Sequence, residues 1–166
     1  MRSFYQVKDL LDRTQREEVI GFLYSATNYF VDGKTRFWPA STGSFMMCNI
    51  SLVEAEPWLP GVIEKVNAQT GETWQPRVSN ILEYRHNNYV PPHQDVSSTE
   101  QATTHTLIIP LNDRDQYGGG QMMIAGKEID VAPGDGVIYS HDTEHSVEPI
   151  RGGIRYAWII RLREDK

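Results

Sequence analysis

Along the first 75 residues the apolar positions recur at helical spacing, and beyond them they fall into short alternating runs. In "TQREEVIGFLYSATNYF", Val19, Ile20, Leu23, Tyr24 and Phe30 return at roughly helical intervals, and Thr14 and Glu17 stand at capping-box spacing at the start. A second helix is predicted over "PGVIEKVNAQTG", stopping at Gly71. Between the two, "SFMMCNISLVE" reads as a strand or a buried extended segment.

The pattern changes near residue 76. From there "SNILEYR", "THTLIIPLN", "GQMMIAG", "KEIDVAP", "GVIYSH", "HSVEPI" and "IRYAWIIRLR" read as strands, separated by turn chemistry in "HNN", "YGGG", "PGDG" and "IRGG". Strands at this spacing predict a mainly β protein, a sandwich or open barrel, with the N-terminal helices packed on one sheet. Residues that carry chemistry should line its mouth. A length of 166 residues suits one domain, with residues 1–75 as helical support and substrate loops and 76–166 as the β core.

Composition narrows the possibilities. An apolar fraction of 39% is that of a folded globular chain, and a net charge of −6 argues against a nucleic-acid groove. Cys48 is the one cysteine, so no internal disulfide can form, and a reducing compartment is expected. The N-terminus carries charges every few residues, leaving no secretory apolar core, and no run reaches the length of a membrane span. A cytoplasmic protein without a membrane partner is therefore expected; the sequence sets no oligomeric state. The Gly-rich "YGGGQMMIAGKE" lacks phosphate-loop spacing, and its glycines read as a tight turn that lets backbone approach the site.

The chemistry concentrates in two short stretches. In "VPPHQDVS", His93 and Asp95 are two positions apart, so on extended backbone they project to one face and can share an ion. In "YSHDTEHSVEPI", His141 and His145 have the spacing of an inverted zinc-peptidase motif, which needs a helix that the surrounding glycines, the strand-like "VIYS" and Pro149 deny. One of these histidines is then the third ligand, on the strand beginning at "HSVEPI", with His141 at the end of the preceding strand. Two histidines and a carboxylate on a β scaffold can hold non-haem Fe(II), or zinc. Arg155 follows ten residues after His145. An arginine facing inward beside a metal site calls for an anionic partner, because a guanidinium keeps its charge.

In order, "ILEYRHNNYVPPHQD", "THTLIIPLN", "YGGGQMMI", "VAPGDGVIYS", "HSVEPI" and "GGIRYAWII" resemble the blocks of Fe(II)- and 2-oxoglutarate-dependent dioxygenases of the prolyl 4-hydroxylase type, over about residues 79 to 162. The resemblance implies a double-stranded β-helix, or jelly roll, as the catalytic core. It implies His93, Asp95 and His145 as iron ligands, with Arg155 and Tyr84 binding the distal carboxylate of 2-oxoglutarate. It implies Fe(II), 2-oxoglutarate and O2 as requirements, with ascorbate as a candidate reductant. Tyr89 matches an aromatic near the substrate mouth, and Arg36 and Trp38 are further candidates for substrate contact. One departure stands out: many members place a Thr or Ser shortly after the basic residue, where this chain has Ala157 and Ile159.

What the resemblance implies is hydroxylation of an unactivated C–H bond, first of a peptidyl proline, with a free amino acid or other small molecule as the alternative substrate. The retained Asp95 favours hydroxylation over halogenation. Two other classes fit the residues alone: a zinc-dependent hydrolase using the same triad, and a non-catalytic jelly-roll binding module.

Overall fold

The computed structural model describes residues 4–26, 30–31, 34–35, 37–40, 42–95 and 102–165. In chain order its elements are β1 (Phe4–Val7), α1 (Arg13–Ala26), β2 (Phe30–Val31), β3 (Lys34–Thr35), β4 (Phe37–Pro39), β5 (Met46–Asn49), α2 (Leu59–Thr70), β6 (Trp74–Tyr84), β7 (Val90–His93) and β8 (His105–Pro110). There follow β9 (Tyr117–Gly119), β10 (Met122–Ile124), β11 (Lys127–Ile129), β12 (Gly136–Ser140), β13 (His145–Val147), β14 (Ile150–Gly153) and β15 (Arg155–Glu164). The larger sheet runs β1-β12-β8-β15-β6-β5-β4 and the smaller β11-β10-β13-β7; β14 pairs with β9 and β2 with β3. Every pairing is antiparallel.

Two apolar layers lie on opposite faces of the large sheet, and strand alternation sorts side chains between them. On β15, Tyr156, Trp158, Ile160 and Leu162 join Ile81, Leu107, Ile109 and Ile138 in the layer under the helices, together with Val19 and Leu23 of α1 and Val62 and Val66 of α2. Ala157 and Ile159 point the other way, toward Leu82, Ile108, Val137 and Tyr139, and there meet Met122, Ile124 and Val147 of the small sheet. The jelly roll expected from the sequence is thus closed by two facing sheets and backed by two helices. The N-terminal third also supplies three strands of the large sheet, β1 at one edge and β5 and β4 at the other.

The helix ends show how local signals are chosen. α2 stops at Gly71, as expected, with a left-handed φ of 75° and its N–H donating to Asn67 O. At the start of α1 the reciprocal capping bonds are made by Asp12 and Gln15, not by Thr14 and Glu17: Asp12 N–H donates to Gln15 Oε1 at 2.9 Å and Gln15 N–H to Asp12 Oδ1 at 2.8 Å. Both pairs have the right spacing, but only Asp12 precedes the first helical residue, Arg13. Glu17 instead pairs with Arg13 one turn back, at 3.2 Å.

Trp158 is fully buried under the helices and donates its indole N–H to Ser79 Oγ at 2.5 Å. Trp158→Ala should destabilise the fold by about 3–5 kcal/mol. Chemical denaturation of the two proteins would check this; a loss under about 1 kcal/mol would mean that the layer repacks around the gap.

Candidate metal centre

His93 closes β7 and His145 opens β13, and the two residues are direct cross-strand partners in the small sheet. Their rings lie 4.2 Å apart, centre to centre. Each Nδ1 faces a backbone carbonyl, His93 at 2.9 Å from Pro91 O and His145 at 3.0 Å from Thr143 O. A carbonyl only accepts, so both Nδ1 atoms carry the proton, and the Nε2 lone pairs of the neutral rings are left for an ion.

Asp95 follows just beyond β7 and is nearly buried, with 5% side-chain exposure. Its Oδ1 lies 3.5 Å from His93 Nε2 and 3.4 Å from His145 Nε2. Ligands bound at about 2.1 Å and at right angles to each other would stand about 3 Å apart, so a small inward shift suffices to seat a metal. Thr106 donates to the other oxygen, Oδ2, at 2.8 Å, and Arg161 Nη1 stands 3.2 Å from it. Burial alone would raise the Asp95 pKa, but the two imidazoles and Arg161 outweigh it and hold the carboxyl far below the usual carboxylate range. The chemistry of the set, two neutral imidazoles and one fixed carboxylate, suits Fe(II).

His93 is held above its ordinary pKa of 6.5, chiefly by its hydrogen bond to Asp95, although partial burial opposes this. Metal uptake must displace that proton. Mn(II) affinity should therefore fall as pH drops from 8 to 6, approaching about tenfold per unit below the His93 pKa. Metal-free protein has the opposite sign: the stabilisation from protonated His93 is complete below its unfolded value and is lost as pH rises through the raised one. Mn(II) titrations at several pH values, followed by electron paramagnetic resonance, provide the check; a flat affinity would sink the expectation.

The triad lines a cavity of about 270 Å3 between the sheets, with Phe45, Met47, Leu82, Ile108 and Ile159 among its apolar walls. Tyr84 lines it too and stacks on Phe45, ring centres 4.7 Å apart. Against the Tyr84 ring, 4.9 Å from its centre, lies the Arg155 guanidinium. The two residues are cross-strand partners on β6 and β15, which brings cation and phenol together. Arg155 is 2% exposed, and among the described residues no carboxylate pairs with it. Burial raises the Tyr84 hydroxyl pKa, and Arg155 partly offsets the rise. A buried guanidinium lacking an acid, beside a phenol donor and below apolar walls, fits the distal carboxylate and methylenes of 2-oxoglutarate.

Other expectations fare differently. His141 sits in the turn one residue past the end of β12, next to the strand end where the sequence placed it, and is buried, not at the surface. Tyr89 is 43% exposed and does not line the cavity. Arg36 lies outside the described residues, as does the side chain of Trp38. At Gly120, with φ 71°, an added Cβ would come within 2.6 Å of Ile150 and 3.2 Å of Arg155, so the glycine turn does bring backbone against the site. The sequence reading missed Arg161, Thr106 and Tyr139. The alternation that sets Arg155, Ala157 and Ile159 on one face of β15 sets Arg161 there as well.

Residues 79–160 match the 2OG-Fe(II) oxygenase superfamily. The chain belongs to it. A PKHD-type hydroxylase of Xylella fastidiosa (strain M12) is 35% identical over 80 residues, which is 44% of this chain and 34% of that protein. The chain thus spans about a third of the length of the curated relative it matches. Among solved structures, a prolyl-4-hydroxylase from Pseudomonas putida superposes with a TM-score of 0.74 at 14% identity, covering 100% of this chain and 95% of that one. The viral collagen prolyl hydroxylase of Paramecium Bursaria Chlorella virus-1 gives 0.70 at 13% identity, covering 97% and 96%. These two likenesses establish the oxygenase fold. Among the described residues no helix is long and apolar enough to cross a membrane.

Proposed function

We propose that the chain is a 2-oxoglutarate- and O2-dependent hydroxylase acting on an unactivated C–H bond, with His93, Asp95 and His145 holding Fe(II). The observation that carries this reading is the pairing of a two-histidine, one-carboxylate set at one cavity with a buried arginine that lacks an acid and packs on Tyr84, a residue of the same cavity wall. A zinc hydrolase would use the first feature and leave the second without a role. Proline, in a peptide or free, is the first substrate to try, on the strength of the prolyl hydroxylases that share the fold.

Bound iron and 2-oxoglutarate would supply the oxidation, yielding succinate and CO2 and delivering one oxygen atom of O2 to the substrate. The chain's part is placement. Arg155 and Tyr84 anchor the distal carboxylate, which orients the keto-acid end toward the triad. The carbonyls of Pro91 and Thr143 keep both imidazoles turned inward. Ile108, Ile159 and Val147 keep water from the reacting centre.

The test is anaerobic visible absorption of the Fe(II)-loaded protein before and after 2-oxoglutarate. A charge-transfer band should appear on addition. Iron demonstrably bound with no band would refute the oxygenase reading and turn attention to hydrolysis.

A further inference from the structure

The proposed anchor for the distal carboxylate has a neighbour beyond Tyr84. Phe45 precedes β5 by one residue, and β5 pairs with β6 as β6 pairs with β15, so Phe45, Tyr84 and Arg155 fall in one row across the large sheet. The rings of Phe45 and Tyr84 are stacked, with centres 4.7 Å apart and planes 18° from parallel. The guanidinium of Arg155 lies 4.9 Å from the centre of the same Tyr84 ring. Because β6 runs between β5 and β15, ring and cation approach Tyr84 from opposite sides. A phenol held between a second ring and a guanidinium has little freedom to turn, so both neighbours set the place of its hydroxyl.

Phe45 also belongs to the wall of the cavity, which it lines together with Thr42. Between these two residues the chain is tied to the head of β7, the strand that carries His93. Ser44 N–H donates to Tyr89 O at 3.0 Å, and Tyr89 N–H donates to Ser44 Oγ at 3.3 Å. The approach is close: a Cβ added at Gly43 would fall 2.4 Å from Tyr89 O. Residues 42–45 therefore bridge the two sheets at the cavity, bonded to Tyr89 on one side and stacked on Tyr84 on the other. Tyr84 is 2% exposed and sits in the core, whereas Phe45 is only partly buried against it. The Phe45 ring is thus the contact through which a segment of cavity wall meets the residues assigned to the cosubstrate.

We infer that Phe45 is a positioning residue for the distal end of 2-oxoglutarate, and that it couples this end to the cavity wall of residues 42–45. The inference rests on the proposed oxygenase reading. A carboxylate held by the Arg155 cation and the Tyr84 hydroxyl together needs both in one fixed geometry, and the stack on Phe45 holds the phenol there. Coupling of this kind is reciprocal. If the Phe45 ring tightens cosubstrate binding, bound cosubstrate holds the ring more firmly, and with it the bonds between Ser44 and Tyr89. Cosubstrate thereby firms the wall that a substrate meets.

The experiment compares wild type, Phe45→Leu and Phe45→Tyr, each loaded with Mn(II). Leucine keeps an apolar side chain and loses the stack; tyrosine keeps the stack. By calorimetry the Kd of 2-oxoglutarate should rise more than twofold, up to roughly tenfold, in Phe45→Leu, the range that one aromatic pair is worth. Phe45→Tyr should restore it to within about twofold of wild type, and Mn(II) affinity should be unchanged in both variants. Hydrogen exchange across residues 42–46 should slow when 2-oxoglutarate is added to wild type and to Phe45→Tyr, but not to Phe45→Leu. A Kd in Phe45→Leu that stays within twofold of wild type overturns the inference. So does an equal loss in both variants, which would make the ring a filler of the wall, and so does a loss of Mn(II) affinity in Phe45→Leu, which would make it a general support. Exchange that ignores 2-oxoglutarate in wild type overturns the coupling. A wild type that takes up Mn(II) and no 2-oxoglutarate fails the oxygenase reading instead, so the two failures are told apart.

Discussion

Arg155→Met should abolish tight 2-oxoglutarate binding and yet leave the ligand-free fold at least as stable. Arg155 is buried against Tyr84 with no acid partner among the described residues, a desolvated charge that the distal carboxylate of 2-oxoglutarate would compensate under the proposed function. Removing one member of a buried, hydrogen-bonded charge pair costs about 2–5 kcal/mol of binding, or roughly 30-fold to several thousand-fold in Kd. Without ligand the sign reverses, because an apolar side chain of similar length removes an unpaired buried cation. Calorimetric titration of 2-oxoglutarate and thermal melts with and without it would show both effects. A Kd within threefold of wild type would refute the assignment of Arg155 to the cosubstrate.

His145→Ala should eliminate metal uptake, lowering Mn(II) affinity by more than about 100-fold, since even a residue that merely supports a ligand is worth about 10–100-fold. Turnover should vanish with it. The metal-free fold should survive, because Asp95 keeps Thr106 and Arg161 as partners for Oδ2 and loses only one of the imidazoles facing Oδ1. Equilibrium dialysis followed by metal analysis decides the matter, and retention of one equivalent of Mn(II) near wild-type affinity would remove His145 from the site. The two variants separate the halves of the pocket: one loses cosubstrate and keeps metal, the other loses both.

Much of this site was legible because its features are local. His93 and Asp95 are bound together by the period of an extended chain, and the glycines and Pro149 around His145 exclude a helix without any knowledge of the fold. The helix stop at Gly71 is likewise written in one residue. What could not be read depends on register between distant strands. Thr106 meets Arg161, which lies 55 positions further along the sequence, and Tyr139 joins them only because β12 pairs with β8. Spacing along the chain carries no trace of such neighbours. The capping box at α1 is an intermediate case, since two pairs satisfied the local rule and the actual first helical residue decided between them. β1, in "FYQV", is too short for its alternation to speak, and its place at the sheet edge is set by Tyr139, Ile138, Val137 and Gly136 opposite.

β15 carries structure on one face and chemistry on the other, residue by residue: Trp158, Ile160 and Leu162 lie under the helices, Ile159 and Arg161 line the cavity, and Arg155 packs on Tyr84 of the cavity wall. Such a strand constrains how the protein can change over time. A point replacement at an odd-numbered position from 155 to 161 can retune ligand choice while the hydrophobic backing stays intact. Insertion or deletion of a single residue would exchange the two faces, driving arginines under the helices and Trp158 into the pocket. Divergence of ligand choice in this protein should therefore proceed by substitution along this strand, with its length held constant.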